Sequence, residues 1–403
     1  MKSSKKVLLM STYPIKGALT GGPLRVKAIL EEYKKHFKSV SHVAVFSRYH
    51  HPAGYEPTDI AVRGDLAQAT RYAPDTSDYL IGKAIATDKE LRARVIAYIE
   101  QLHPDIIQIE QMFCWIGLKD AIKDLSYSPQ ITYSSHNIEW SMKKELLDGL
   151  GYKREDIAQM IEDIKSAEYD LASKASAVFA VTKADGESLV AMGAKSYTLA
   201  RNGVFPLNAQ EKDIEYWRAY FAQRGIEQIA VFIGSAHPPN IQGFKEMIGF
   251  GLGFLKRNQA IVLAGDVGTN IMDNLDRQDA QQFTSLRRLI SVGRLSHPRL
   301  QGLLSYAHTI LLPITEGGGS NLKTAEAIAS RKPVVATTKA YRSFDEFKDA
   351  PQVLLADTRQ KFKDSISRSF EENNVTKLDS KVDVNSVLWS VCLQPMSQKL
   401  EEI

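Results

Sequence analysis

Behind a strand-like run at 309–314 stand Thr315, Glu316, the triplet Gly317, Gly318 and Gly319, then Ser320 and Asn321; a helical pattern begins near Leu322. A glycine-rich loop at a helix start offers free backbone N–H donors and the positive end of the helix dipole, which suits a diphosphate. Lys323 sits in the first turn, where acids are the favoured charge, so a bound anion would explain it. Glu326 follows three residues on and shares its helix face. A carboxylate there can accept two hydroxyl hydrogen bonds, such as a ribose diol offers. A flexible loop with a solvated Lys and Glu is the plainer reading, but it explains neither this spacing nor the buried-looking PVVAT at 333–337.

Three other loops follow strand-like runs. YPIKGALTGGPLRV brings Gly21 and Gly22 to a helix beginning near Pro23, a weak anion-site signal that also fits an ordinary cap. SSHNIEW places His136, Asn137 and Glu139 directly after a strand, where polar groups are well placed for function. GSAHPPNIQGF begins with Gly234 and Ser235, small enough to leave room for a phosphate, and Asn240 is expected to cap the next helix. GFGLGF at 249–254 lies in a helical pattern and reads as helix packing. His50 and His51 lack the partner spacing of a zinc site. The chain has no Asp-x-Asp, GxSxG or P-loop motif.

Short apolar runs alternate with helical patterns along the chain and set these loops in place. Strands are expected at 6–10, 41–46, 105–111, 130–135, 177–182 and 196–202. A second series falls at 229–235, 260–265, 289–293, 309–314, 333–338 and 353–357. Many of these runs are continuous rather than alternating, as in parallel strands covered on both faces. A helix at 154–176 carries Ile157, Met160, Ile161, Ile164, Ala167 and Leu171 as its apolar stripe. The pattern predicts two doubly wound α/β domains, with ligands at the carboxyl ends of the strands. The break is placed in the Gly/Pro/Asn-containing stretch 202–213. Residues 50–95 show no regular pattern.

The 403 residues, 44% hydrophobic and 24% charged, are ordinary globular material for two cores. Cys114 and Cys392 stand far apart, which excludes a disulfide framework and fits a reducing compartment. The apolar run after the first lysines is too short for a signal segment, and no run is long enough to cross a bilayer, so a cytoplasmic location is expected. The net charge of +4 is unevenly spread. The first fifty residues hold ten Lys or Arg against Glu31 and Glu32 alone. Lys34, Lys35 and Lys38 are read first as helix-end charges; the second reading is peripheral contact with an anionic inner membrane face.

Together these residues resemble the retaining nucleotide-sugar glycosyltransferases of family 4 (group 1), which have the two-domain GT-B fold. The resemblance covers nearly the whole chain. It rests on the Gly21-Gly22 loop, HN.E at 136–139, NGV at 202–204, GS...PPN at 234–240, GR at 293–294 and, most specifically, GGGSNLKTAEAIASRKPVVAT. It implies two Rossmann-like parallel-sheet domains facing a cleft: an acceptor-side domain at 1–203 joined by a crossing C-terminal helix at 385–403, and a donor domain at 204–384. It implies that Glu326 holds the ribose, that Lys323 and the loop before it hold the diphosphate, and that His136 lies beside the donor sugar and departing phosphate. Trp389 matches a tryptophan often found in the crossing helix. The family places another glutamate eight residues before Glu326, where Gly318 stands. Either Glu316 serves from a longer loop, or this is a glycine-triplet variant without it. The family's Arg and Lys after the first strand of the donor domain are replaced by SAHPPN, leaving Arg294 and Lys323 to supply positive charge.

The function so implied is transfer of a sugar, hexosyltransferase-like, from a UDP-, GDP- or ADP-sugar to a hydroxyl of a glycan, lipid-linked or small-molecule acceptor. Polysaccharide biosynthesis is the expected setting. Retention, no metal, no other cofactor and no nucleic-acid partner are expected. The catalytic candidates are His136, Lys323 and Glu316. The alternatives are a GT-B nucleotide-sugar epimerase and a nucleotide-sugar-binding protein without turnover. A phosphorylase is disfavoured, because no pyridoxal-phosphate lysine motif is apparent.

Overall fold

The computed structural model describes residues 2–18, 21–276, 278–316, 322–371 and 383–403. The chain divides into two compact units, Met1–Arg201 with Cys392–Ile403, and Asn202–Val391.

The first unit is built on β1 (Ser3–Ser11), β2 (Phe37–Phe46), β3 (Ile60–Ala61), β4 (Ile106–Glu110), β5 (Gln130–Ser134), β6 (Ala177–Ala180) and β7 (Thr198–Leu199). They form one sheet in the order β3-β2-β1-β4-β5-β6-β7. All of its strand pairs are parallel. The carboxyl ends of β1, β2, β4 and β5 therefore lie along one edge, and the loops that leave them can share a ligand. The central strands are buried on both faces, as their continuous apolar runs require: Leu8, Leu9, Val45, Ile107 and Ile109 are fully enclosed. Each such side chain contributes roughly 1.5–3 kcal/mol relative to exposure. Of the stripe on the helix Arg154–Lys174, Ile157, Ile164, Ala167 and Leu171 are buried, while Met160 packs at the margin of the core.

The second unit holds β8 (Gln228–Ile233), β9 (Gln259–Ala264), β10 (Leu289–Gly293), β11 (Thr309–Leu312), β12 (Val334–Ala336) and β13 (Val353–Leu355). Their order is β10-β9-β8-β11-β12-β13, again with all pairs parallel. β8 and β11 are neighbours, so the loops after Ile233 and Leu312 emerge side by side.

Four local expectations are corrected. Residues 249–254 are not helical: the helix Pro238–Met247 ends in a turn where the N–H groups of Ile248 and Gly249 both reach the Phe244 carbonyl. Gly249 takes φ +62° there, a conformation glycine adopts without penalty. Asn240 does not cap that helix. Pro238 at its first position starts it earlier, with His237 as the flanking residue. The segment from 385 is not one helix but a 3-10 turn at Val384–Val387, a short helix Trp389–Cys392 and the helix Gln394–Glu402. Pro395 in the first turn separates the last two, and Gln394–Glu402 packs within the first unit. Finally, the unassigned stretch 50–95 contains β3, the helices Gly64–Tyr72 and Ser77–Thr87, and the start of the helix Lys89–Leu102.

Lys34 and Lys35 occupy the last turn of the helix Gly21–His36 and pair with Glu31 and Glu32 at 3.0 and 2.6 Å. Among the described residues no helix is long and apolar enough to cross a membrane.

Candidate active site residues in each unit

In the first unit, the loops from β1, β4 and β5 meet the start of the helix Gly21–His36. A Cβ on Gly22 would fall 2.7 Å from the Tyr13 hydroxyl and 3.3 Å from His136 Nδ1. The glycine thus lets the helix start close against both side chains. Gly21, at φ +63°, turns the chain into that helix.

His136 is buried, and its Nε2 lies 3.0 Å from Glu110 Oε2. With Nε2–H donating to this carboxylate, Nδ1 presents its lone pair toward the Tyr13 hydroxyl, 3.5 Å away. Burial lowers the His136 pKa, while the hydrogen bond and charge of Glu110 act to raise it. A neutral imidazole oriented by a carboxylate is equipped to accept a hydroxyl proton or a hydrogen bond at Nδ1. Glu110 also accepts from Gln108 Nε2, and the Tyr33 hydroxyl donates to Gln108 Oε1 at 2.7 Å. Arg25 is buried in the same region, and Glu110 is the strongest charge holding its proton against desolvation.

The loop carrying His136 is fixed from behind. Glu168 accepts the N–H groups of Glu139 and Trp140 at 3.0 Å each, and the Tyr133 hydroxyl at 2.9 Å. A carboxylate so caps the helix Glu139–Gly149, which begins without a cap from its own chain neighbour. Glu139 is fully buried. Desolvation, then the charge of Glu168, hold its carboxyl well above the usual range. Asn137 offers its carbonyl to the Ser135 hydroxyl at 2.6 Å.

In the second unit, Lys323 and Glu326 lie on the partly buried face of the helix Leu322–Ser330. Lys323 Nζ donates to Asn240 Oδ1 at 2.8 Å. Asn240 in turn donates to the Ser235 carbonyl at 2.9 Å and to its hydroxyl at 3.2 Å. One hydrogen-bonded line therefore joins the loop after β8 to the first turn after β11. Burial pushes the Glu326 carboxyl up to about 7, against the pull of the Lys323 charge. Burial likewise lowers the Lys323 pKa, with Glu326 opposing it. Such a pair of desolvated, opposed groups is a common mark of a ligand site.

The remaining candidates fall as follows. Gly234 lies close to Val267 and Asn240, where a Cβ would come within 3.2 Å of Val267 Cγ1 and 3.4 Å of Asn240 Cγ, and its carbonyl oxygen would be 2.3 Å from a Cβ on Gly265, at the end of β9. Arg294 is exposed, and its guanidinium grips Asp266 through three contacts of 2.5 to 2.8 Å. Glu316 is exposed. Gly317, Gly318, Gly319, Ser320 and Asn321 lie outside the described residues. Among the described residues no group of three His, Cys, Asp or Glu side chains is arranged to hold a metal.

Sequence reasoning missed Glu110, Tyr13 and Arg25. A signal was present for Glu110: it ends the buried strand IIQIE, where an enclosed carboxylate requires a partner. Tyr13 gave none.

No protein-family profile and no curated protein sequence matches the chain. Solved structures do. The chain aligns over 99% of its length with all of HepE from Anabaena, in complex with UDP and glucose, at TM-score 0.66 and 14% identity. This is the GT-B fold. Sucrose-phosphate synthase from Thermosynechococcus elongatus shares it at TM-score 0.62 and 15% identity, over 99% of this chain and 94% of that one. So does the catalytic domain of starch synthase IV from Arabidopsis thaliana, bound to ADP and acarbose, at TM-score 0.58 and 13% identity, over 99% and 98%. At these identities the likeness establishes the GT-B architecture; chemistry has to be argued from the side chains.

Proposed function

We propose that the protein is a retaining, metal-independent glycosyltransferase that moves a sugar from a nucleoside diphosphate sugar to a hydroxyl acceptor. The observation that carries this reading is the Lys323–Glu326 pair on the helix after β11, with Lys323 tied to Asn240 after β8. A diphosphate at the start of that helix would meet the Lys323 ammonium and the helix dipole. A ribose one turn further would find the Glu326 carboxylate. The GT-B neighbours described with UDP or ADP support a nucleotide in this fold.

In this reading the second unit positions the donor, and Lys323 stabilises charge on the departing diphosphate. The first unit supplies His136, oriented by Glu110, as a polar partner for the sugar or acceptor hydroxyl. No enzyme nucleophile is assigned. That suits a displacement on one face of the sugar, in which the leaving diphosphate takes the acceptor's proton as the new glycosidic bond forms.

The test is ligand-linked thermal stabilisation with UDP, GDP, ADP and their sugars. A nucleotide at a hundred times its Kd should stabilise by about 2.7 kcal/mol. Product stereochemistry by NMR would then decide retention. A chain that none of the three nucleotides stabilises is not such an enzyme.

A further inference from the structure

The loop after β2 in the first unit ends in a surface that the proposed chemistry does not use. Its base is rigid. The buried Ser47 hydroxyl donates to Thr70 Oγ1 at 2.6 Å, and Thr70 donates to the Ala67 carbonyl. His50 Nε2 donates to the Thr70 carbonyl at 2.8 Å. These bonds lock the β2 loop onto the end of the helix Gly64–Tyr72.

On this base stand Tyr49, 45% exposed, and Tyr72, 76% exposed. The Arg71 guanidinium lies 5.5 Å from the centre of the Tyr49 ring and 5.8 Å from that of Tyr72. Arg48 lies in the same relation to Tyr55, at 5.5 Å. Neither arginine has a carboxylate partner among the described residues. Exposed tyrosine faces beside unpaired guanidinium groups are suited to recognition: rings pack on flat apolar surfaces, and Arg takes a carboxylate or phosphate in a bidentate grip.

The position narrows the partner. β2 and β5 are three strands apart in one parallel sheet, roughly 14 Å between their carboxyl ends. The β2 loop also leans on the β1 loop that carries Tyr13. Lys16 pairs with Glu56 at 3.3 Å, and Gly54 sits against the Lys16 carbonyl. The surface therefore continues from the Tyr49–Arg71–Tyr72 cluster toward Gly22 and His136. A single sugar cannot span that distance, but a short chain of sugars can. A lipid surface fits less well, because the large exposed apolar residues of segment 47–72 are both tyrosines, with no aliphatic wedge.

We propose that Tyr49, Arg71 and Tyr72 form a distal acceptor subsite, selecting an oligosaccharide that carries an acidic group away from the sugar at His136. This rests on the transferase reading above, and the experiment separates the two. The full chain is titrated with acidic tetrasaccharides (uronate, phosphorylated and sulfated) and with neutral ones, by calorimetry. The same samples are tested for thermal stabilisation by UDP, GDP and ADP. Binding of an acidic tetrasaccharide is expected, weakened about tenfold or more by Tyr72→Ala and by Arg71→Gln, the loss typical of one important contact. Nucleotide stabilisation should be unchanged in both variants, which also reports that they fold. Nucleotide stabilisation without binding of any acidic tetrasaccharide overturns the subsite and leaves the transferase reading. Tetrasaccharide binding without nucleotide stabilisation removes the transferase reading and leaves an oligosaccharide-binding site without an acceptor role. Equal binding by the variants, or variant-sensitive binding to phosphatidylglycerol vesicles in place of the sugars, also overturns it.

Discussion

Lys323 donates to Asn240 across 2.8 Å, joining the first turns of the two helices that follow the neighbouring strands β8 and β11. The amide holds the ammonium in place without neutralising it. A cation so fixed does not have to reorganise when charge develops beside it.

Lys323→Ala should therefore lower the transfer rate by about 10²–10³, the usual cost of one such stabilising group. Asn240→Ala should act through position alone, lowering turnover less than Lys323→Ala while leaving the cation present. Single-turnover kinetics with each variant checks the order. An Asn240→Ala loss as large as that of Lys323→Ala would count against it.

Glu326→Ala should weaken binding of the free nucleoside diphosphate, since the ribose remains after the sugar leaves. Hydrogen bonds to a charged group contribute about 2 kcal/mol, roughly thirtyfold in Kd. The titration gives a second check. The Glu326 carboxyl is held up to about 7. Ribose hydroxyls donate to the ionised form, so affinity should rise with pH through that value and then level. Stability of the free protein should move the other way: a raised folded pKa stabilises at low pH, and the gain is lost as pH climbs through about 7. Calorimetry in buffers of different ionisation heat should detect proton release on binding.

His136→Ala should cut turnover and leave nucleoside diphosphate affinity nearly unchanged. Glu110→Gln should cut turnover less. It should also lower the His136 pKa further, because Glu110 is what opposes the effect of burial. NMR titration of the imidazole, beside steady-state rates, tests both statements. Normal turnover in His136→Ala would remove this residue from the reaction.

His42 should withdraw its contribution to the stability of the first unit in acid. His42 Nε2 donates to Ser11 Oγ at 2.8 Å, since that hydroxyl itself donates to the Tyr13 carbonyl. Burial lowers the His42 pKa to about 4. A depressed pKa stabilises above the unfolded value, and the gain is lost as pH falls from about 6.5 toward 4. The loss amounts to roughly 3 kcal/mol at most. Glu168, raised to about 7 by burial, has the opposite slope and a comparable size between about 4.5 and 7, and the buried Glu139 carboxyl, also held high, adds to it. The His42 contribution is therefore read as the difference between wild type and a His42 variant. His42→Gln should flatten the acid limb in melts taken at a series of pH values.

Turnover should survive a chelator, because the sequence has no Asp-x-Asp to hold a metal diphosphate. Activity abolished by EDTA and restored by manganese would reverse that assignment.

The sequence alone determined the fold class and every strand but β3, though not the helices within 50–95. Strands enclosed on both faces are apolar along most of their length, so runs such as IAVFI in β8 and AIVLA in β9 stand out without any partner in view. The shared face of Lys323 and Glu326 was equally legible, since it depends only on helical spacing. β3 was not, because two residues are too short to show a period. The tertiary structure decided what lies far apart along the chain. Glu110 reaches His136 across 26 positions, Asn240 reaches Lys323 across 83, and Tyr13 reaches His136 across 123. Those pairings follow from the order of strands in each sheet, and no local periodicity encodes which strand becomes whose neighbour. The part played by Asn240 shows the difference. As a residue it reads as a cap; only beside β11 does it become the support for a cation.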